Sequence, residues 1–262
     1  MSLDITTHRV TVSRTARYAT TGAAAAHTNS LWVAFHGYGQ RAADFIAPFA
    51  DAAPPGVRII APEGLSRFYL ELPRPDGGHL TRTGATWLTR DDREDELRDA
   101  LAMLHAVVGR EIGAVTAACG TEPTLHLLGF SQGVAMSMRY VVERTAVVAP
   151  ASPVTTHVLW AGGLAHDVAD EALRLAWRQT AVHLVRGERD RFADDATRAA
   201  TQARFVDLGQ AVSTHTFAGG HRLDTPLLRA LLAHTAGAGD GAVPTTHLAD
   251  TAVRRHAWPP PS

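Results

Sequence analysis

The chain has 262 residues, 45% of them hydrophobic, which is enough to bury one large core, so a single domain is the starting expectation. Basic and acidic residues nearly cancel, 25 against 26, leaving no cationic field of the kind that gathers nucleic acid or an anionic membrane surface. Every basic residue is arginine and Cys119 is the only cysteine, which excludes a lysine nucleophile, a Schiff-base or phosphate-loop lysine, an intramolecular disulfide and a cysteine-rich zinc site.

The first ten residues carry Asp4, His8 and Arg9 and lack the apolar run of a signal peptide. No segment reaches the roughly 20 uninterrupted apolar residues of a spanning helix. These features predict a soluble, cytoplasmic protein that works on small molecules, without nucleic-acid partners or stable membrane insertion.

Short β-rich apolar runs alternate with longer helix-compatible stretches, the pattern of a mostly parallel sheet covered by helices on both faces. Arg9 to Ala19 alternates in character and reads as an edge hairpin. Leu31 to Phe35 is a continuous apolar run that reads as a buried strand entering the glycine turn His36-Gly37-Tyr38-Gly39. Ala42 to Ala52 reads as one helix, with Phe45, Ile46 and Phe49 at helical spacing, and Val57 to Ala61 as a strand stopped by Pro62. Glu63 to Arg90 is rich in Gly, Pro and aromatic residues and reads as a long surface excursion rather than regular structure.

Asp91 or Asp92 would cap a helix running to about Val108, with acidic residues in its first turn. Thr124 to Phe130 reads as a strand and Gln132 to Thr145 as a helix. The strand signal then recurs at His157 to Ala161, Ala181 to Arg186 and Val212 to Phe217. After Thr235 the chain becomes Gly/Ala-rich and then Pro-rich, which predicts a catalytic domain over residues 1–236 and a mobile tail over 237–262.

The strongest chemical signal is Gly129-Phe130-Ser131-Gln132-Gly133, set between an apolar strand and a helix. Glycines there permit a tight strand-to-helix turn that pushes the Ser131 hydroxyl out at the carboxyl edge of the sheet, with the Gln132 N–H facing an oxyanion formed beside it. A serine hydroxyl needs a base to take its proton and a carboxylate to orient that base. Two downstream strand ends supply them: Gly187-Glu188-Arg189-Asp190 offers Asp190, and Gly219-Gly220-His221 offers His221. Glu188, Asp194 and Asp195 neighbour Asp190 and Asp167 follows the preceding strand, so Asp190 leads a short field of acids. His221 stands out among 14 histidines by position, whereas His126, His183 and His215 sit inside strands and read as packed residues. The turn after Phe35 offers the N–H of Tyr38 as the second oxyanion donor.

These motifs resemble the phospholipase/carboxylesterase family of α/β-hydrolases, which includes small bacterial carboxylesterases and acyl-protein thioesterases. Ala61-Pro62-Glu63-Gly64 and Thr83-Gly84-Ala85-Thr86-Trp87 are also similar to segments of bacterial esterases of this group, so the likeness covers about Leu31 to Leu232. It implies a cofactor-free, metal-free esterase with Ser131 as nucleophile, His221 as base, Asp190 as acid and oxyanion donors at Tyr38 and Gln132. The chain departs from the family pattern at Val134, often a second glycine, and at Arg191, often a proline.

The interval from Trp160 to Ala181 is too short for a large helical cap, so the site is expected to be open. Phe68, Tyr69 and Trp87 are the expected pocket walls. The expected substrate is a small ester with a short acyl chain, hydrolysed through an acyl-enzyme. Thioesterase, acyltransferase or peptidase chemistry on the same triad is the alternative, and a non-catalytic binding protein of the same fold is a further one.

Overall fold

The apolar runs marked as buried strands become the centre of one seven-stranded sheet in the computed structural model, which describes residues 5–73, 77–147, 153–192 and 195–236. In chain order the strands are β1 (Tyr18–Gly22), β2 (Ser30–Phe35), β3 (Val57–Pro62), β4 (Ser66–Pro73), β5 (His79–Thr86), β6 (Thr124–Phe130), β7 (Val154–Trp160), β8 (Ala181–Gly187) and β9 (Val212–Phe217). The large sheet has the order β1-β3-β2-β6-β7-β8-β9; β1 is antiparallel to β3 and every other pairing is parallel. All parallel strands therefore deliver their carboxyl ends to one edge, where ligands of such sheets bind.

The central strands are apolar on both faces because both faces are covered. Leu31, Val33 and Phe35 of β2 pack into one core with Leu104 of α3 (Arg93–Cys119), Met136 of α4 (Gln132–Val147), Leu173 of α5 (Asp170–Ala176) and Phe205 of α6 (Asp195–Leu208). Trp32 and Ala34 face the other core, with Phe45 of α1 (Ala42–Phe45), Phe49 of α2 (Ala47–Ala52) and Leu228 of α7 (Thr225–Thr235). α3 is long and apolar enough by composition to cross a membrane, but Leu104, Val108 and Val115 are fully buried in this fold.

Four elements differ from the sequence reading. Arg9 to Ala19 holds no hairpin: with no Gly, Pro or Asn to turn it, only Tyr18 onward forms a strand, which pairs with β3. The helix expected over Ala42 to Ala52 breaks at Ile46, because Pro48 lacks the N–H an uninterrupted helix would need and instead occupies the first turn of α2. The excursion from Glu63 to Arg90 is largely regular: β4 and β5, which themselves carry Pro73 and Gly84, form a separate antiparallel pair. α3 runs past Val108 to Cys119, since Gly109 and Gly113 face open space and the first stop is Gly120, left-handed at φ 78°.

The β7–β8 connection contains α5 and no cap among the described residues. The tail expected over 237–262 and Asp194 lie outside the described residues.

Candidate active site

The turn after β6 sets the site. Ser131 is left-handed at φ 54°, a strained conformation for a residue with a Cβ, and its N–H donates to the Trp160 carbonyl at 2.9 Å. The turn closes only because its glycines lack side chains: a Cβ on Gly129 would lie 2.5 Å from Ser137 Oγ, and one on Gly133 would lie 2.1 Å from the Phe35 carbonyl oxygen. β6 and β2 thus approach closely enough for the turn after β2 to sit beside Ser131.

The ends of β8 and β9 bring up two more side chains. His221 Nε2 lies 2.9 Å from Ser131 Oγ, and His221 Nδ1 lies 2.9 Å from Asp190 Oδ2. The Asp190 side chain is 1% exposed and that of His221 21%, so the carboxylate is sealed behind an imidazole that solvent reaches. Asp190 Oδ1 also accepts the Phe192 N–H at 2.9 Å, which fixes the carboxylate plane. The imidazole packs against the rings of Phe130 and Phe192. The two loops are tied together, since Glu188 N–H donates to the Phe217 carbonyl and Arg189 N–H to the Gly219 carbonyl.

The backbone N–H groups of Tyr38 and Gln132 donate to no acceptor among the described residues, although the groups around them are satisfied. Gly37 N–H donates to Gln40 Oε1 at 2.8 Å, and Gly39 N–H donates to the Ala85 carbonyl at 2.8 Å. The buried His36 ring accepts the Gly64 N–H at Nε2, 2.9 Å away, so its proton sits on Nδ1 and donates to the Gly37 carbonyl at 2.8 Å. Burial lowers the His36 pKa to about 4, keeping the ring neutral. Two N–H groups are thus left unpaired among the described residues and held by satisfied neighbours.

Of the three residues expected on the pocket wall, two reach the cleft. A cleft of about 710 Å3 opens beside Gln132, and Phe68 and Trp87 line it. The Phe68 ring packs at a tilt against Tyr38, centroids 4.9 Å apart, while Trp87 is almost fully buried, stacks on His36 and donates its Nε1–H to the His36 carbonyl. Tyr69 does not line the cleft: side chains alternate along β4, and its ring is 78% exposed on the opposite face from Phe68. Asp167, among the alternative acids, is bound instead by Arg93 and Arg139.

The sequence reading missed the residues that hold Gln132 and the turn after β2. Gln132 Nε2 donates to Thr86 Oγ1 at 2.7 Å, and its Oε1 accepts the Trp87 N–H at 3.3 Å. Glu63 accepts the Ala42 N–H and pairs with Arg67. The motif-like spelling of Thr83 to Trp87 marked the right segment, but only the hairpin brings it to Gln132. No group of three or more potential metal-ligating side chains is found among the described residues.

A parallel sheet flanked by helices, with a strained serine turn at its carboxyl edge, defines an α/β-hydrolase. The chain belongs to the phospholipase/carboxylesterase family, whose model matches residues 17–237, and is therefore a serine hydrolase acting on carboxylic esters. Among solved structures, esterase PE8 is similar at 22% identity, with 84% of this chain and 98% of that one covered and a TM-score of 0.53. Acyl-protein thioesterase 2 from Zea mays is similar at 17% identity, with 85% and 99% covered and a TM-score of 0.56. A phospholipase/carboxylesterase from Dyadobacter fermentans is similar at 19% identity, with 81% and 91% covered and a TM-score of 0.52. At these identities the likeness is one of fold. No curated protein sequence matches the chain.

Proposed function

We propose that the chain is a serine carboxylesterase that hydrolyses esters with short acyl chains through an acyl-enzyme. The observation that carries this reading is the relay Ser131 Oγ to His221 Nε2 to Asp190 Oδ2, with 2.9 Å at each step. In the productive tautomer, His221 donates its Nδ1–H to Asp190 and accepts the Ser131 proton at Nε2. Ser131 attacks the ester carbonyl, and the oxyanion is received by the N–H groups of Tyr38 and Gln132. His221 passes the proton to the leaving alcohol, then takes one from the water that releases the acid. The catalytic unit is residues 1–236.

The test is burst kinetics with p-nitrophenyl acetate and butyrate, comparing the unsubstituted protein with Ser131→Ala and His221→Ala. A burst that disappears in both variants supports the reading; equal hydrolysis by Ser131→Ala overturns it. Matched thioesters and peptides in the same assay separate esterase from thioesterase or peptidase specificity.

A further inference from the structure

The cleft beside Gln132 has an apolar part and a cationic part. Phe68, Trp87, Leu88 and Met136 form the apolar part. The guanidinium-bearing residues Arg67, Arg90, Arg93 and Arg139 also line it, and no Asp or Glu does. The carboxylates nearby stand behind this lining: Glu63 pairs with Arg67, Asp167 with Arg93 and Arg139, and Glu96 is held by Ser66 and Thr89. Arg90 is exposed and has no hydrogen bond or ion pair among the described residues. Arg139 lies two turns along α4 from Gln132, about 10 Å along the axis by helix geometry.

Tyr38 and Gln132 line the cleft and His221 does not, so in the esterase reading, where His221 protonates the leaving alcohol, the cleft is assigned to the acyl chain. An acyl chain entering it would pass the apolar wall and end among guanidiniums. Planar guanidinium donors match carboxylate and phosphate oxygens. We infer that this esterase prefers esters whose acyl chain ends in an anion, and that Arg90 is its specificity-determining residue. The inference rests on the esterase reading above for its turnover assay and stands apart from it in a binding assay.

The probes are mono-p-nitrophenyl adipate and its neutral counterpart, methyl p-nitrophenyl adipate, of nearly equal length. The expected result is a kcat/KM about tenfold higher for the anion, a preference that shrinks as salt screens the cleft and is lost or reversed in Arg90→Glu. Turnover of the neutral ester should change much less in Arg90→Glu than turnover of the anion. In parallel, adipate and butyl phosphate are titrated calorimetrically into Ser131→Ala with and without Arg90→Glu, which separates carboxylate from phosphate recognition without needing turnover. Equal kcat/KM for the two esters, or a preference insensitive to Arg90→Glu, overturns the inference while leaving the esterase reading intact. Arg90-dependent binding of either anion without ester turnover would do the reverse. Absence of both preference and binding overturns the inference outright.

Discussion

The His36 ring and the Gly64 backbone are locked together: Nε2 accepts the Gly64 N–H at 2.9 Å, so the glycine turn after β2 is pinned to the segment leaving β3. Replacing His36 by alanine leaves that buried N–H unpaired and removes the surface on which Trp87 stacks. The expected cost is about 1–3 kcal/mol of stability together with a fall in kcat, as the Tyr38 N–H loses its orientation. Chemical denaturation and steady-state kinetics on His36→Ala and His36→Gln measure both. An unchanged kcat in a folded alanine variant would remove His36 from the machinery that positions the turn.

Acid should weaken the fold through its buried histidines. Burial lowers the pKa of His36, His126 and His183 from the ordinary 6.5 to about 4. Between those values the unfolded chain binds protons that the folded chain refuses. Stability from these groups is therefore fully present above about pH 6.5 and falls as pH drops toward 4, by about 1.4 kcal/mol per group per pH unit within that window. Urea midpoints across this range check the slope, and a flat stability would contradict the neutral buried rings.

Strain at Ser131 is measurable separately from chemistry. Ser131→Gly and Ser131→Ala both lose the hydroxyl, but only glycine is comfortable at φ 54°. The glycine variant should be the more stable of the two by about 1 kcal/mol, reversing the usual order, and both should be inactive. Thermal unfolding of the pair decides it.

Thr86 is expected to act through Gln132. Thr86→Val removes the hydroxyl that accepts from Gln132 Nε2 and leaves the side chain at the start of α4 held only by its longer contacts with Trp87 and Leu88. A fall of about fivefold to tenfold in kcat with little change in KM is expected, with activity restored by Thr86→Ser, in keeping with about 1 kcal/mol for one hydrogen bond. Equal losses in the valine and serine variants would point to packing instead.

What the sequence made legible was local. That Ser131 and His221 would come together was readable because each sits at the end of an apolar run beside glycines, and strand ends of a parallel sheet converge on one edge. The relation of Thr86 to Gln132 was not legible, because it depends on a hairpin folding back from β3. That hairpin was hidden by the Pro and Gly residues that colour the composition of the whole segment. Tyr69 was misplaced for a simpler reason: neighbours in a strand point to opposite faces, and the pairing that decides which of Phe68 and Tyr69 faces the cleft is tertiary. The arginine-lined cleft gathers residues from β4, α3, α4 and the segment between β5 and α3, so no window of sequence contains it.

The order of the large sheet divides the site between its interior and its margin. Ser131 follows β6, the middle strand, and the Tyr38 turn follows its neighbour β2, while Asp190 and His221 are carried by β8 and β9 at one end. Edge strands open at lower free energy than central ones. The half that carries Asp190 and His221 can therefore come loose while the half that holds Ser131 stays built, so, if the proposed relay operates, mild heat or denaturant should silence the protein reversibly before its sheet is lost.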